Sequence, residues 1–249
     1  MESEARCLRA AGITNSISLS GANTLRAGEI SRELVSAGAN SLISIGLAGG
    51  LDPRLGPGSV IVAERVLSWQ QPFPAASRRS PLQGLGSVFR QEDSDTPEKK
   101  TVPDAQFEAD PELRAQLLAL LGGKSWSGSI VGVNRAVTRP AEKLSLYAQT
   151  QGLACDMESH AVAEAAKAAG IPFLVLRVVS DPSNRSIPQS ALAGITPAGR
   201  TSPGRVLRSL SVRPWELFEL LSLALDARIA FGALRRVARR SAPLFRAVG

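Results

Sequence analysis

SLISIGLAGGLDPRLGPGSVIVAERVL, residues 41–67, holds two compact apolar runs on either side of a turn-rich stretch. The first run, 41–47, predicts a strand that flows into Ala48-Gly49-Gly50. Asp52-Pro53 and Gly56-Pro57-Gly58 then forbid regular structure, and 59–67 predicts a second strand. The uncharged run 34–51 reaches the length of a membrane span. Its glycines (38, 46, 49 and 50) and its polar Ser36, Asn40, Ser41 and Ser44 instead read as helix end, turn, strand and loop.

Working outward, 13–21 (ITNSISLSG) reads as a short strand. A helix follows over 24–37, with Leu25, Ile30, Leu34 and Val35 apolar and Gly38 as its stop. Residues 70–104 are rich in Pro, Ser and charge and lack any period, the kind of long loop that compact domains keep for function. Pro111 suits a first helical position. Residues 127–133 predict a strand, 140–150 a helix, 153–156 a short strand and 157–169 an Ala-rich helix closed by Gly170 and Pro172. FLVLRVV, 173–179, is the most apolar strand and reads as buried on both faces. Strands alternating with helices predict an α/β three-layer sandwich whose mixed sheet is largely parallel. Pro214 to Arg240 carries a helical pattern with Trp215, Phe218, Leu221, Leu225, Ile229 and Phe231 on overlapping faces. We divide the chain into a domain over 1–202 and a basic helical extension over 203–249.

Composition narrows the function. The 249 residues are 44% hydrophobic and 20% charged, an ordinary globular balance. The formal charge is +7, but residues 205–249 hold nine Arg against Glu216, Glu219 and Asp226, a surplus of six. The body is near neutral, so the high isoelectric point is no argument for a nucleic-acid enzyme. The two cysteines, Cys7 and Cys155, allow at most one bridge and fit a reducing, cytoplasmic setting. The first twelve residues lack the apolar stretch of a secretory signal. With one histidine, His160, and no Cys/His cluster, no transition-metal site is expected. Neither a G-x-S-x-G elbow nor a G-x-x-x-x-G-K-[ST] phosphate loop occurs.

Three strand ends carry the candidate chemistry. Gly46-Leu-Ala-Gly49-Gly50 is either a tight turn or main chain left free to approach a ligand. Asp156 and Glu158 stand where a strand meets a helix, as caps or as site carboxylates; His160, further along that helix, reads as a packing or surface residue. Ser180-Asp181 ends the most buried strand, where open parallel sheets bind ligands. Arg177, inside that strand, requires a carboxylate partner if buried.

GLAGGLDPRLGPGSVIV resembles the G-x-A-G-G-L … G-D-[IV]-V-V segment of the purine nucleoside phosphorylase and nucleosidase superfamily. DMESHAVAEAAKAAGIPFLVLRVVSD is similar to its M-E-x-x-A-[IV]-A … P-F-x-x-[IV]-R-x-[IV]-S-D segment, in the same order and at the same separation. Within it, the chain most resembles the hopanoid-associated phosphorylases, through SDPSNRSIPQSALAGITPAGR, the Arg-rich tail and residues 42–53. The resemblance implies that Asp181 is a general acid at purine N7, that Glu158 binds the ribose hydroxyls with Met157 packed under the sugar, and that Ser180 positions the acid or the base. It also implies that Ala48 and Gly49 border the purine and that Glu4 activates water.

The chain departs from the pattern in three places. Leu47 stands where Ser is frequent, Val133-Asn134-Arg135-Ala136-Val137 has no stacking aromatic, and Met1-Glu2-Ser3-Glu4 corresponds to the loop after a first strand that is not seen. Arg26 and Arg54 are candidates for an anion site. The implied reaction is cleavage of the N-glycosidic bond of an adenine nucleoside, with adenosylhopane giving adenine and a ribosyl or phosphoribosyl hopane in hopanoid biosynthesis. A soluble methylthioadenosine/adenosylhomocysteine nucleosidase and a non-catalytic nucleoside-binding member are the alternatives. No cofactor or metal is implied, inorganic phosphate competes with water as nucleophile, and a homo-oligomer is expected, with no nucleic-acid partner. The Arg-rich tail suits a peripheral contact with the cytoplasmic membrane face, or a packed helix with a solvated basic face.

Overall fold

The structure, a computed structural model, describes residues 1–14, 17–70, 102–193 and 202–248. Most of the aperiodic 70–104 segment, and the end of the SDPSNRSIPQSALAGITPAGR match, lie outside them. The elements run α1 (Glu2–Arg9), α2 (Thr24–Ser36), β1 (Leu42–Gly50), β2 (Val60–Trp69), β3 (Ala105–Glu108), α3 (Pro111–Leu121), β4 (Trp126–Val133), α4 (Pro140–Thr150), β5 (Ala154–Asp156), α5 (Ser159–Ala169) and β6 (Phe173–Asp181). They continue with α6 (Gln189–Ala193), α7 (Pro203–Val212), one 3₁₀ turn (Pro214–Glu216) and α8 (Leu217–Val248).

The sheet is mixed, in the order β3-β2-β4-β5-β1-β6. Its long ladders are parallel: β1 runs beside β6 from Leu42↔Phe173 to Gly49↔Asp181, and β2 beside β4 from Ile61↔Trp126 to Trp69↔Val133. The β1–β5, β2–β3 and β2–β6 pairings are antiparallel. Because Val60–Val62 of β2 also pair with Val178–Leu176 of β6, the sheet curls until the ladders run round in a ring. The α/β class and the mixed sheet are as the sequence predicted; the closure is not something its alternation revealed.

Helices cover both faces. Leu174, Leu176 and Val178 of β6 join Val60 and Val62 in a core closed by Leu8 of α1, Leu117 and Leu121 of α3, and Leu234, Val237 and Phe245 of α8. On the other side Val175 and Val179 meet Ile61, Ala63 and the small side chains Ala163, Ala165 and Ala166 of α5, with Leu34 and Val35 of α2 against them. The alanines let α5 lie close to the strands. Pro111 and Gly170 bound their helices as the sequence predicted, and side-chain caps add to them. Asn23 accepts from Arg26 N (3.0 Å), Pro111 opens α3 behind the Asp110 cap, and Gly170 ends α5 in the left-handed region.

One expectation fails. Among the described residues there is no strand within 13–21, and none of them pairs as a strand with the other edge of β1 from Leu42 to Ala48. Main-chain groups there find side-chain partners instead, as when the Leu47 N–H donates to Glu4 Oε1 (2.9 Å). The Arg-rich tail is helical, and the described part of it matches the reading of a packed helix with a solvated basic face. From Ala230 onward α8 supplies core residues, so its arginines at 235–246 sit on the outer side of an internal helix.

Candidate functional site

The β1–β6 ladder positions the site. Its register shifts between Ala48 and Gly49, which brings Gly49 opposite Asp181. A Cβ at Gly49 would stand 3.2 Å from Asp181 Oδ2, so the glycine lets that carboxylate lie across the strand without giving way by a few tenths of an ångström. The Ser180 hydroxyl donates to Asp181 Oδ1 (2.6 Å) and reaches the Ala48 carbonyl at 3.2 Å. Asp181 Oδ2 accepts from Lys143 Nζ at 2.5 Å. Lys143, on α4, is 0% exposed and also donates to the main-chain oxygens of Pro182 (3.0 Å) and Arg185 (3.1 Å). Burial pushes the Asp181 carboxyl above the usual carboxylate range, against the pull of the Lys143 ammonium and the Ser180 hydroxyl.

Three residues toward the start of β1, a second group of charges gathers. A Cβ at Gly46 would stand 2.9 Å from Glu4 Oε1 and 3.7 Å from Arg177 Nη1. The other oxygen of Glu4 pairs with the Met1 amino group. Arg177 is fully buried and has the carboxylate partner its place in the sequence demanded: its Nε pairs with Asp156. Arg177 Nη2 donates to Ser44 Oγ (2.6 Å) and Ser159 Oγ (2.9 Å) and lies 3.9 Å from Glu158 Oε2. Burial raises the Asp156 pKa, but Arg177, the Ser159 hydroxyl and the Ser159 and Glu158 N–H groups outweigh it and hold the carboxyl below its ordinary value. Asp156 is therefore both the cap of α5 and the counter-ion of Arg177. Glu158 Oε1 accepts from Ser20 Oγ (2.5 Å) and from Ala22 N (2.8 Å). Met157 packs against the cluster that holds Val133, Val137 and Leu146, and its carbonyl accepts from Thr24 Oγ1 (2.7 Å).

Glu158 also lines a cavity of about 500 Å³ beside the open edge of β1. Ile17, Ile30, Leu34, Ile43, Ile45 and Phe245 form much of its wall, with serines 18, 20, 31 and 44 among the polar groups. Asp181 is not among its lining residues. The structure thus brings Glu4, Glu158 and Arg177 to one end of the β1 segment Gly46–Gly50, and Asp181, Ser180, Ala48 and Gly49 to the other.

Neither candidate anion-site arginine joins them. Arg54 pairs with Asp52 (2.6 Å), and Arg26 with Glu29 (3.4 Å) on its own helix. His160 is buried, with Nε2 3.1 Å from Asn134 Oδ1, which matches a packing role. Among the described residues no group of His, Cys, Asp and Glu side chains is arranged to hold a metal ion. Lys143 was missed by sequence reasoning. The one available signal was its position three residues before the buried Leu146 on the inner face of α4.

The fold is thus a mixed α/β sheet with carboxylates gathered at its strand ends. The Phosphorylase superfamily model matches residues 15–198, and the chain belongs to that family. The 5'-methylthioadenosine/S-adenosylhomocysteine nucleosidases of Mycobacterium bovis and Mycobacterium tuberculosis are each 28% identical over 152 residues, 58% of this chain and 60% of theirs. The chain thus spans about 60% of the length of these relatives. In fold it is similar to the Neisseria meningitidis enzyme of that name bound to methylthio-immucillin-A (TM-score 0.57, 18% identity, 89% of this chain and 78% of that one). It is also similar to the Helicobacter pylori enzyme with butyl-thio-DADMe-Immucillin-A (TM-score 0.51, 17% identity, 86% and 75%).

Proposed function

We propose that the chain cleaves the N-glycosidic bond of an adenine nucleoside. The observation that carries the reading is that two carboxylates, Glu4 at Gly46 and Asp181 at Gly49, lie against the main chain toward the two ends of Gly46–Gly50. Adenine is a poor leaving group as an anion, and protonation at N7 lowers the barrier by several kcal/mol. Asp181 has that role, and the buried Lys143 ammonium beside it stabilises the carboxylate that remains once the proton has passed to the base. Ser180 orients the Asp181 carboxyl, while Ala48 and Gly49 border the purine. Glu158 accepts the ribose hydroxyls in place of its Ser20 and Ala22 donors, over Met157, and favours positive charge developing on the sugar. Glu4, beside Arg177, activates water. Phosphate is the competing nucleophile.

The 5'-substituent follows from the cavity at Glu158. Its apolar wall supports a bulky apolar group, in keeping with adenosylhopane as substrate. The names of the mycobacterial relatives support the second reading, a thioadenosine.

Adenine release from an adenosyl lipid and from methylthioadenosine, each with and without phosphate, tests both. Asp181→Asn is expected to lower kcat about 10²–10⁴-fold, and Glu158→Gln to raise KM and lower kcat together. Full activity of Asp181→Asn removes the assigned acid. Release from methylthioadenosine alone selects the second reading, and release from neither substrate refutes glycosidic cleavage.

A further inference from the structure

The outer half of α8 and the segment before it expose an apolar stripe that the core does not use. Phe218, Leu221, Leu225 and Ile229 recur at helical spacing on one face, and Leu207, Val212 and Trp215 extend the exposed apolar surface back through α7 and the 3₁₀ turn. Phe218 is 78% exposed and Trp215 71%. From Ala230 onward the same helix turns inward, so the change of role falls within one turn.

The exposed charges around the stripe are predominantly positive. Arg205, Arg208 and Arg228 are exposed, whereas Arg213 is half-buried and lies 4.0 Å from Glu216. Of the three acids between 203 and 229, Glu216 is buried and accepts from Ser190 N (2.8 Å), and Asp226 is buried and paired with Arg185 (2.9 Å). Glu219 alone is exposed. Aromatic and aliphatic side chains flanked by arginines complement an anionic bilayer surface, where apolar groups leave water and guanidinium groups meet lipid phosphate. A symmetric contact with a second copy would bring the same arginines together. No helix among the described residues is long and apolar enough to cross a membrane, so the contact is interfacial.

We propose that residues 205–229, rather than the arginines at 235–246, form a docking surface for an anionic lipid bilayer. The inference stands apart from the reaction proposed above. The full chain is tested by co-sedimentation with phosphatidylcholine vesicles, with and without a third of phosphatidylglycerol, at low and high salt. Binding is expected only to the anionic vesicles and to weaken with salt. Trp215→Ser/Phe218→Ser and, separately, Arg205→Gln/Arg208→Gln are each expected to reduce partitioning roughly tenfold or more. Both pairs are exposed, so melting temperatures stay unchanged and loss of binding is not loss of fold. Wild-type protein that ignores anionic vesicles overturns the proposal, as does binding that survives both double variants. A concentration-dependent dimer abolished by Trp215→Ser/Phe218→Ser, without vesicle binding, overturns it in favour of a second copy.

Discussion

Replacing Lys143 with Met tests the pair that governs Asp181. Met fills much the same space but removes the ammonium that lies 2.5 Å from Oδ2 and ties down the Pro182 and Arg185 carbonyls. Asp181 then keeps a buried carboxylate with the Ser180 hydroxyl as its remaining side-chain donor. Removing one partner of a buried ion pair costs about 3–5 kcal/mol. For a chain of this size that is a fall in Tm of about 6–20 °C, at roughly 2–4 °C per kcal/mol. The deficit depends on pH. A carboxyl whose folded pKa is raised contributes stability that is present below its unfolded value, 3.8, and is lost as pH rises through the folded one. Removing Lys143 raises the folded value further. The deficit is therefore small near pH 4 and grows toward pH 8. Lys143→Met/Asp181→Asn removes both charges and is expected within about 1–2 kcal/mol of wild type. Urea melts of the four proteins across pH give the cycle. Additive single effects, or a Lys143→Met deficit that shrinks as pH rises, refute the reasoning.

Asp156→Asn strands the fully buried Arg177 and is expected to cost about 3–5 kcal/mol at pH 7. Asp156 has a depressed folded pKa, so its contribution is present above pH 3.8 and lost as pH falls through the folded value; urea melts should show the Asn variant and wild type converging in acid. His160 is held below 6.5 by burial, against the pull of Asp156 and Glu164, so wild type loses stability as pH falls below 6.5 and His160→Gln should flatten that slope. Gly46→Ala places a Cβ 2.9 Å from Glu4 Oε1, the far end of a flexible side chain. Stability should change by less than about 1 kcal/mol, while adenine release falls because Glu4 is displaced; unchanged release would remove Glu4 from the chemistry.

The elements that sequence revealed are those whose burial is written in consecutive residues. FLVLRVV is buried on both faces, so its period is invisible but its class is plain; SLISIGL and SVIVAERVL are legible for the same reason. AQFE, the short β3, was not, because four residues against β2 carry too little apolar surface to stand out. Residues 13–21 alternate like a strand, yet alternation shows only that one side can be buried. A strand also needs a partner edge, and the described part of this segment supplies Ser20 to Glu158 instead. Arg177's need for an acid was legible from burial alone, but the choice of Asp156 depends on how α5 docks. Lys143 shows the limit more sharply: a lysine on a short amphipathic helix reads as solvated until the loop after β6 folds over it.

That loop is held by charge more than by apolar packing, which bears on how far the C-terminal helix and the site can be separated. Asp226 of α8 pairs with the Arg185 side chain at 2.9 Å, the Arg185 carbonyl accepts from Lys143, and Lys143 holds Asp181. Each link fixes the next, because a buried ammonium tolerates little displacement from its acceptors. Asp226→Ala frees the Arg185 side chain but leaves its carbonyl on Lys143, so the first link should loosen the loop without unfolding the core. Amide exchange at residues 183–187 reads that out. Faster exchange there, with β6 protection intact, is the expected result. Unchanged exchange would mean that the Lys143 contacts and the Ile187 N–H bond to the Thr138 carbonyl hold the loop without Asp226, and that α8 does not reach the site through it.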